Sequence, residues 1–267
     1  MDQIDYIDAM LDRFKLKDVH PEYKLYKFES ISESPRIEKN EMEQKLGVLQ
    51  YLSCRTRPDL AYIVGRLTQE IPNSTIHLRK AVNNVFRYIK GTRNLALTLG
   101  DMNKEPYVIF VDASHGQETK SRSRSGSIIK MFGSTVYWCS IIQPIQALST
   151  AEAELNALAS TIEELSWLNP LVSDYGIESK PTIKEDNQAV LSIISQPRTK
   201  KYKLRADFIK DRLINGEIKC LDYVPTGEQA ADLLTKVINK KSLELVGLSH
   251  RSICHRGMLM YWHNHER

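Results

Sequence analysis

The chain has 267 residues, of which 42% are hydrophobic, so it can form one large domain or two small ones with a real core. No run approaches the ~18 apolar residues of a membrane span and the N-terminus lacks a signal-peptide pattern, which predicts a soluble intracellular protein, cytoplasmic or nuclear, without a membrane partner. The net charge of +4 permits nucleic-acid binding without requiring it.

The first hundred residues have the apolar spacing of helices. Pro58 suits a first helical turn and Gly91 suits a helix end, whereas residues 30–35 form a polar linker. A mostly helical segment is therefore predicted for residues 1–100. The four windows with helical spacing are residues 2–15, 38–53, 57–71 and 76–91.

From residue 107 the pattern changes to that of a mixed α/β fold with an early meander. Residues 107–111 are apolar on both faces, as in a buried central strand, and residues 126–132 and 135–140 form a predicted hairpin. Ser149 and Glu152 form a capping box at the start of a long helix. The other predicted elements are a strand at 181–186, a short helix at 187–195, a helix at 205–214, a strand at 218–224 and a helix that starts near Thr226 with Gln229 as its capping-box partner.

Four acidic residues occupy positions where an acid is unexpected. Asp112 ends an apolar strand, Glu154 lies in the long helix, Asp186 closes a strand, and Asp232 interrupts an apolar stretch. A carboxylate in an apolar neighbourhood is costly unless it is paired or bound to a metal. Four that converge would form a divalent-cation site, and oxygen ligands suit Mg²⁺ or Mn²⁺.

Helix geometry separates the two glutamates near residue 150. Glu152 is explained by capping, whereas Glu154 falls about 60° from Ala151, at ~100° per residue, and borders the apolar stripe. Glu154 is therefore the glutamate that we expect to face the sheet. Glu163 and Glu164 point away from it toward solvent.

Each acid also has an ordinary structural explanation. Asp112 could end a strand at a turn, and Asp186 with Asn187 could form an Asx turn before a helix. Asp232 could be a solvated helix residue. The joint placement of the four acids favours a common site above one edge of a mixed sheet.

Two basic clusters accompany the acids. The first, Lys120, Arg122 and Arg124, follows Asp112 closely. Either cluster alone fits a solvated loop as well as a binding site, but two clusters beside four acids favour a phosphate-backbone partner. The second cluster consists of Arg198, Lys200, Lys201, Lys203 and Arg205. The predicted nucleic-acid-binding residues are Arg122, Arg124, Lys200 and Lys201.

Several sequence blocks, taken in order, match one family over roughly residues 2–248. They are YLSCRTRPDLAY (51–62), VFRYIKGT (85–92), VDAS (111–114), RSRSG (122–126), ALSTAEAE (147–154), EDNQA (185–189) and QAADLLTK (229–236). The chain resembles the C-terminal part of the Pol polyprotein of copia-type LTR retrotransposons, from the end of the reverse transcriptase through ribonuclease H. The resemblance implies a helical thumb and connection remnant (1–100), a ribonuclease H-like domain (101–240) with a mixed five-stranded sheet flanked by helices, and a C-terminal tail (241–267).

The same resemblance implies roles for the four acids. Asp112, Glu154, Asp186 and Asp232 match the catalytic, metal-binding carboxylates of ribonuclease H. They would hold two Mg²⁺ or Mn²⁺ ions, one lowering the pKa of an attacking water and one stabilising the leaving 3′ oxygen. The implied partners are an RNA–DNA hybrid and, in a full-length Pol protein, the reverse-transcriptase palm.

Departures from the family leave two interpretations open. The Tyr-x-Asp-Asp turn of the palm is missing, so we expect a truncated Pol copy and not a complete polymerase. Ile141 and Ile142 replace two lysines of the usual Trp-x-Ser-Lys-Lys-Gln block, and Lys201 replaces a usual His, which predicts weaker hybrid binding. Intact carboxylates favour an active nuclease. The truncation and the lost lysines favour a non-catalytic remnant, inert or retained as a nucleic-acid-binding or protein-binding module.

Overall fold

The computed structural model describes residues 1–31, 33–100, 104–196, 200–237 and 240–250. Arg198 of the second basic cluster and residues 251–267 of the predicted tail lie outside the described residues. No helix in the described ranges combines the length and the apolar character that crossing a membrane requires.

The N-terminal part is built from four α-helices, as predicted. Their apolar faces share one core around Leu49, Leu67 and Phe86. The helix predicted over 57–71 is shorter than expected, because 3₁₀ turns that contain Pro58 and Pro72 flank it on both sides. The elements are α1 (Ile4–Arg13), α2 (Asn40–Arg55), α3 (Ala61–Thr68), α4 (Ile76–Gly91) and a short strand β1 (Leu95–Leu97).

A five-stranded mixed sheet follows, in the order β4-β3-β2-β5-β6. The pairs β2–β3 and β3–β4 are antiparallel, whereas β5 runs parallel to both β2 and β6. The predicted meander and mixed five-stranded sheet are therefore confirmed. The strands are β2 (Tyr107–Ser114), β3 (Arg124–Met131), β4 (Ser134–Ile142), β5 (Thr182–Glu185) and β6 (Cys220–Tyr223).

Three helices cover one face of the sheet. The apolar stripe of α5 meets Ile109 and Val111 of β2 in a common core. The third helix begins at Lys200, earlier than the start predicted near residue 205, so the basic Lys200 and Lys201 lie in a first helical turn instead of a loop. The helices are α5 (Thr150–Asp174), α6 (Gln188–Ser195) and α7 (Lys200–Ile214).

The C-terminal segment covers the opposite face. Phe110 of β2 and Ile128 of β3 pack there against Leu233 and Leu248. Because side chains alternate along a strand, Asp112 is in phase with Phe110 and lies on this second face. The centre of the sheet is thus buried on both sides.

The α-helix predicted from Thr226 does not form. Two 3₁₀ turns, Thr226–Glu228 and Ala230–Leu234, take its place. Gln229 is not a capping-box partner of Thr226: its Oε1 accepts from the Ala231 N–H at 3.2 Å and its Nε2 donates to the Val111 carbonyl at 2.8 Å. This side chain ties the turn to β2, which a continuous helix would not allow.

The described part of the predicted tail belongs to the fold. Helix α8 (Lys240–Leu245) leads into β7 (Leu248–His250), which pairs antiparallel with β1. Val246 and Leu248 are buried on the second face of the sheet. Residues 240–250 therefore link the N-terminal part to the sheet, while the division of the chain at residues 100 and 240 stays a prediction.

Candidate metal centre

Two parallel strands carry Asp112 and Asp186 to the same edge of the sheet. Strands β2 and β5 pair in parallel, with Phe110 opposite Lys184. The same register continued by two residues places Asp112 opposite Asp186, which directly follows β5. The carboxyl ends of parallel strands lie at one edge, so this convergence follows from the topology.

Glu154 and Asp232 reach this edge from opposite faces. Glu154 lies near the start of α5, which packs on β2, and is 4% exposed. Asp232 lies in the 3₁₀ turn that Gln229 anchors to β2. The four predicted acids therefore arrive on four different elements.

The carboxylates form two overlapping groups. Ligand oxygens of Asp112, Asp186 and Asp232 all lie within 4.8 Å of one another. Oxygens of Glu154, Glu185 and Asp186 also lie within 4.8 Å of one another. Asp186 belongs to both groups, so the structure brings together all four predicted acids and a fifth, Glu185.

Glu185 was not among the predicted site residues. It is 0% exposed and shares the helix-covered face of β5 with Ile183. Strand alternation was the available signal, because a residue two positions from a buried isoleucine points to the same side. The sequence analysis selected the neighbouring Asp186 because it ends the predicted strand.

Asp112 is held in a buried, polar environment. Its Oδ2 accepts a hydrogen bond from the Thr235 hydroxyl. Burial raises the pKa of Asp112 to about 6, the Thr235 bond opposes the rise, and the Asp232 carboxylate adds to it. Thr235, 1% exposed, is thus a residue of the site that the sequence pattern did not single out.

Burial also raises the pKa of Glu154 and of Glu185. For Glu154, the carboxylates of Asp112 and Glu185 raise it further, and the Ala113 N–H opposes them. For Glu185, the Asn187 N–H opposes the effect of burial, while Asp186 and Asp112 add to it. Both acids are therefore poorly stabilised as anions by the protein alone.

Lys236 supplies positive charge at the outer side of the cluster. Its Nζ lies 2.6 Å from Asp232 Oδ1, and its side chain is 50% exposed. Burial raises the pKa of Asp232, and the bond with Lys236 partly opposes this. One exposed lysine offsets only one of the five carboxylates.

A divalent cation fits this set of donors. Glu154 Oε2 and Glu185 Oε2 are buried and have no hydrogen-bond partner among the described residues. Buried carboxylate oxygens without a partner are costly, and a hard cation with oxygen ligands removes that cost. The donor set therefore suits Mg²⁺ or Mn²⁺, and the assignment of Asp112, Glu154, Asp186 and Asp232 as its ligands stays a prediction.

Glu152 takes a structural position, as the helix geometry predicts. Ser149 Oγ accepts from the Glu152 N–H at 3.2 Å, which is one half of a capping box. The returning bond differs from the prediction, because Glu152 Oε2 accepts from the Leu148 N–H at 2.7 Å instead of that of Ser149. The same oxygen pairs with Lys201 Nζ at 2.7 Å. Burial alone would raise the pKa of Glu152, but these bonds lower it.

Arg124 does not lie on the protein surface, so its predicted contact with nucleic acid is corrected. It is 1% exposed, and its Nε donates to Glu118 Oε1 at 2.6 Å. Its guanidinium stacks 5.5 Å from the Tyr62 ring of α3 and bonds the Ser140 carbonyl at 3.3 Å. Arg124 therefore joins the N-terminal helices to the sheet.

The other three predicted basic residues remain accessible. Arg122 and Lys200 are exposed, and the Lys201 side chain is 39% exposed while paired with Glu152. Ile141, which stands where the resembling family has a lysine, is 50% exposed at the end of β4. These three residues thus keep part of the expected positive charge on the surface.

Comparison with known sequences identifies relatives of the chain. It is 29% identical over 262 residues, 92% of its length, to the retrovirus-related Pol polyprotein from transposon TNT 1-94 of Nicotiana tabacum. The chain is also 31% identical, over 206 residues or 74% of its length, to the retrovirus-related Pol polyprotein from transposon RE2 of Arabidopsis thaliana. Its homologues are retrovirus-related Pol polyproteins of copia-type transposons.

These relatives are much longer proteins. The chain spans 20% of the tobacco protein and 14% of the Arabidopsis protein. A Ty1-LR3 Gag-Pol polyprotein of Saccharomyces cerevisiae is 28% identical over 219 residues, and the chain covers 12% of it. No protein-family model matches the sequence.

Solved ribonuclease H structures resemble part of the chain. The LC11 ribonuclease H1 isolated from compost is 17% identical, with a TM-score of 0.41, over 50% of this chain and 94% of that one. The Prototype Foamy Virus protease-reverse transcriptase is 15% identical, with a TM-score of 0.37, over 53% of this chain and 22% of that one. The observed five-stranded mixed sheet agrees with the fold class that the sequence resemblance implies.

Proposed function

We propose that the chain is a ribonuclease H-type endonuclease that hydrolyses the RNA strand of RNA–DNA hybrids. The observation that carries this proposal is the convergence of Asp112, Glu154, Asp186 and Asp232 at one edge of the sheet. Homology to Pol polyproteins supports a nuclease of this kind. The helical N-terminal part would lie beside the palm in a full-length Pol protein.

The cation would be held by these four carboxylates. When bound, Mg²⁺ or Mn²⁺ activates water at neutral pH and stabilises charge on the leaving oxygen. The protein's own contribution is to hold its ligands in place. Thr235 orients Asp112, and Gln229 fixes the turn that carries Asp232.

The exposed basic residues would bind the phosphate backbone of the hybrid. Arg122, Lys200 and Lys201 are available for this role, whereas the buried Arg124 is not. Each phosphate contact makes the slope of log binding constant against log salt concentration more negative by about 0.9 in duplex DNA. Arg122→Ala and Lys200→Ala should therefore each flatten the slope for hybrid binding. Lys180→Ala, before β5 at the other end of that strand from Asp186, should leave the slope unchanged.

Cleavage of a labelled hybrid tests the activity. The full chain is incubated with a hybrid labelled on its RNA strand, with Mg²⁺ or with chelator, and single-stranded RNA and duplex DNA serve as substrate controls. Wild type should cleave only the RNA of the hybrid and only with Mg²⁺, and Asp112→Asn should not cleave. Asp222→Asn, which removes an acid paired with Lys184 away from the cluster, is the matched control. Cleavage by Asp112→Asn would reject the proposed site.

A non-catalytic remnant, inert or retained as a nucleic-acid-binding or protein-binding module, is the second candidate. The observation that favours it is the exposed Ile141 at the position of a family lysine, because a lost phosphate contact weakens the grip of a nuclease on its substrate. In that case wild type would not cleave the hybrid with Mg²⁺ or Mn²⁺, and the binding measurement would show whether it still binds the hybrid. The cleavage and binding measurements together separate the two candidates.

A further inference from the structure

Glu185 has the local structure of an incomplete ligand site. Its Oε1 accepts from the Asn187 N–H at 3.0 Å, which fixes the orientation of the carboxylate. Its Oε2 is buried and has no hydrogen-bond partner in the described ranges, and Glu154 Oε2 is in the same situation. Both residues therefore carry an unpartnered oxygen, and one carboxylate oxygen each of Glu154, Glu185 and Asp186 lies within 4.8 Å of the others.

We propose that Glu185 is a direct ligand of a divalent cation of the Mg²⁺ or Mn²⁺ type, bound between Glu154, Glu185 and Asp186. This inference deepens the proposed function and rests on it for the presence of a metal centre. It adds a fifth carboxylate to the four that the sequence predicts. The site is placed on the helix-covered side of the sheet edge.

No positive side chain of the described residues forms an ion pair with this group. Lys184 precedes Glu185 but points to the other face of the strand and pairs with Asp222 at 2.9 Å. Lys236 pairs with Asp232, which belongs to the other group. The negative charge of Glu154, Glu185 and Asp186 is therefore left for a cation from solution to balance.

The protein alone leaves this pair of glutamates incompletely satisfied. Oε2 of Glu185 and Oε2 of Glu154 are both buried without a hydrogen-bond partner among the described residues. A buried carboxylate oxygen without a partner is costly. A hard cation suits both orphan oxygens at once, because it takes several carboxylate ligands.

Mn²⁺ binding to the full chain tests the role of Glu185. The metal-free protein is titrated with Mn²⁺, and free ion is followed by electron paramagnetic resonance. Glu185→Gln keeps the shape of the side chain but weakens a ligand, so it should lower the Mn²⁺ affinity at least tenfold. Glu217→Gln, an acid paired with Arg212 outside the cluster, is the matched control and should bind like wild type.

A second variant and a melting measurement guard against loss of folding. Glu185→Asp keeps the charge but withdraws the carboxylate by one methylene group, so it should also bind Mn²⁺ more weakly. Without metal, Glu185→Gln should melt at the same or a higher temperature than wild type, because one repelling carboxylate is gone. Its metal-induced rise in melting temperature should be smaller.

The outcomes separate this proposal from the nuclease proposal. Mn²⁺ affinities of Glu185→Gln and wild type that agree within twofold would overturn the role of Glu185, whether or not the protein cleaves hybrid. A wild type that binds Mn²⁺ tightly through Glu185 but leaves hybrid intact would instead reject the nuclease function alone. A wild type without Mn²⁺ binding would overturn both.

Discussion

The hydroxyl of Thr235 donates a hydrogen bond to Oδ2 of Asp112, although 123 residues separate the two along the chain. This bond holds the segment that carries Asp232 against the end of β2. A carboxylate oxygen of the same Asp112 lies within 4.8 Å of oxygens of Asp186 and Asp232. The geometry of the candidate metal centre therefore depends on a residue that is not itself an acid.

Thr235→Val should disturb Asp112 without changing the charge of the site. Valine keeps the shape of threonine but removes the donor, so we expect a loss of about 1.5–3 kcal/mol of unfolding free energy, as for a bond to a charged group. Denaturant unfolding measures it. Thr226→Val, at an exposed position in the preceding turn, is the control and should change stability little. Equal stabilities of the two variants would argue against the bond.

Gly126→Ala should displace the turn that carries Asp232. A Cβ at Gly126 would lie 2.8 Å from Leu234 Cβ and 2.9 Å from Thr235 Cγ2. Overpacking of this kind costs about 1–3 kcal/mol, and the displaced turn should also weaken Mn²⁺ binding. The control is Gly47→Ala in α2, where nothing lies within 4 Å and where alanine should be neutral or slightly stabilising. Unchanged metal affinity in Gly126→Ala would show that the turn tolerates the extra atom.

Arg124→Met should destabilise the contact between the N-terminal helices and the sheet. It leaves Glu118, 5% exposed, without its closest partner, and a broken buried ion pair costs about 3–5 kcal/mol. The double variant with Glu118→Gln should recover much of this loss in denaturant unfolding. Lys39→Met removes an exposed pair with Glu43 and should cost at most about 1 kcal/mol. Similar losses in the two single variants would contradict the buried network.

Glu152→Ala and Glu154→Gln should separate helix capping from metal binding. Loss of the Glu152 bond to the Leu148 N–H should cost about 1 kcal/mol and leave Mn²⁺ affinity intact. Glu154→Gln should instead weaken Mn²⁺ binding without a loss of stability in the metal-free protein. The two variants are compared by thermal melting and by Mn²⁺ titration. The opposite pattern would exchange their roles.

The metal-free protein should lose stability as the pH rises from about 4 to about 6. The pKa of Asp112 is raised from its ordinary 3.8 to about 6, so the folded state binds more protons over this range than the unfolded state. The shift corresponds to on the order of 3 kcal/mol, at ~1.4 kcal/mol per unit. The raised pKa values of Glu154 and Glu185 extend the same sign of effect to higher pH.

Thermal melts across this pH range, with and without Mg²⁺, measure the effect. Mg²⁺ should reduce the loss because it binds the ionised carboxylates of the folded state. Asp112→Asn should flatten the dependence between pH 4 and 6 in the absence of metal. A metal-free wild type that becomes more stable over this range would contradict the assigned environment of Asp112.

The sequence predicted much of the site because several of its signals are local. An acid at the end of an apolar strand marks Asp112, and helix periodicity distinguishes Glu154 from Glu152. Strand and helix patterns also predicted the mixed sheet and the four N-terminal helices. These signals depend on neighbours within a few positions, so they can be read from the sequence without knowledge of the fold.

Other features depend on contacts between distant segments. Arg124 carries the same charge as Arg122 and lies two residues away, yet strand alternation and the Glu118 loop bury one and leave the other exposed. The segment after Thr226 has a helical sequence pattern, but the bond from Gln229 to β2 favours 3₁₀ turns. Local propensity is weak, and tertiary contacts override it.

The sequence by itself determined which residue types are present at the ends of the strands, and therefore that acids would meet at one edge of a mixed sheet. Only the tertiary structure decided which further groups join them. Glu185 joins the acidic cluster because strand alternation points its side chain to the same side as Ile183. Thr235 and Lys236 join it because the turn that carries them folds back across the sheet. The physical reason is that hydrogen bonds and charge interactions act over a few ångströms in space, whatever the separation of the residues along the chain.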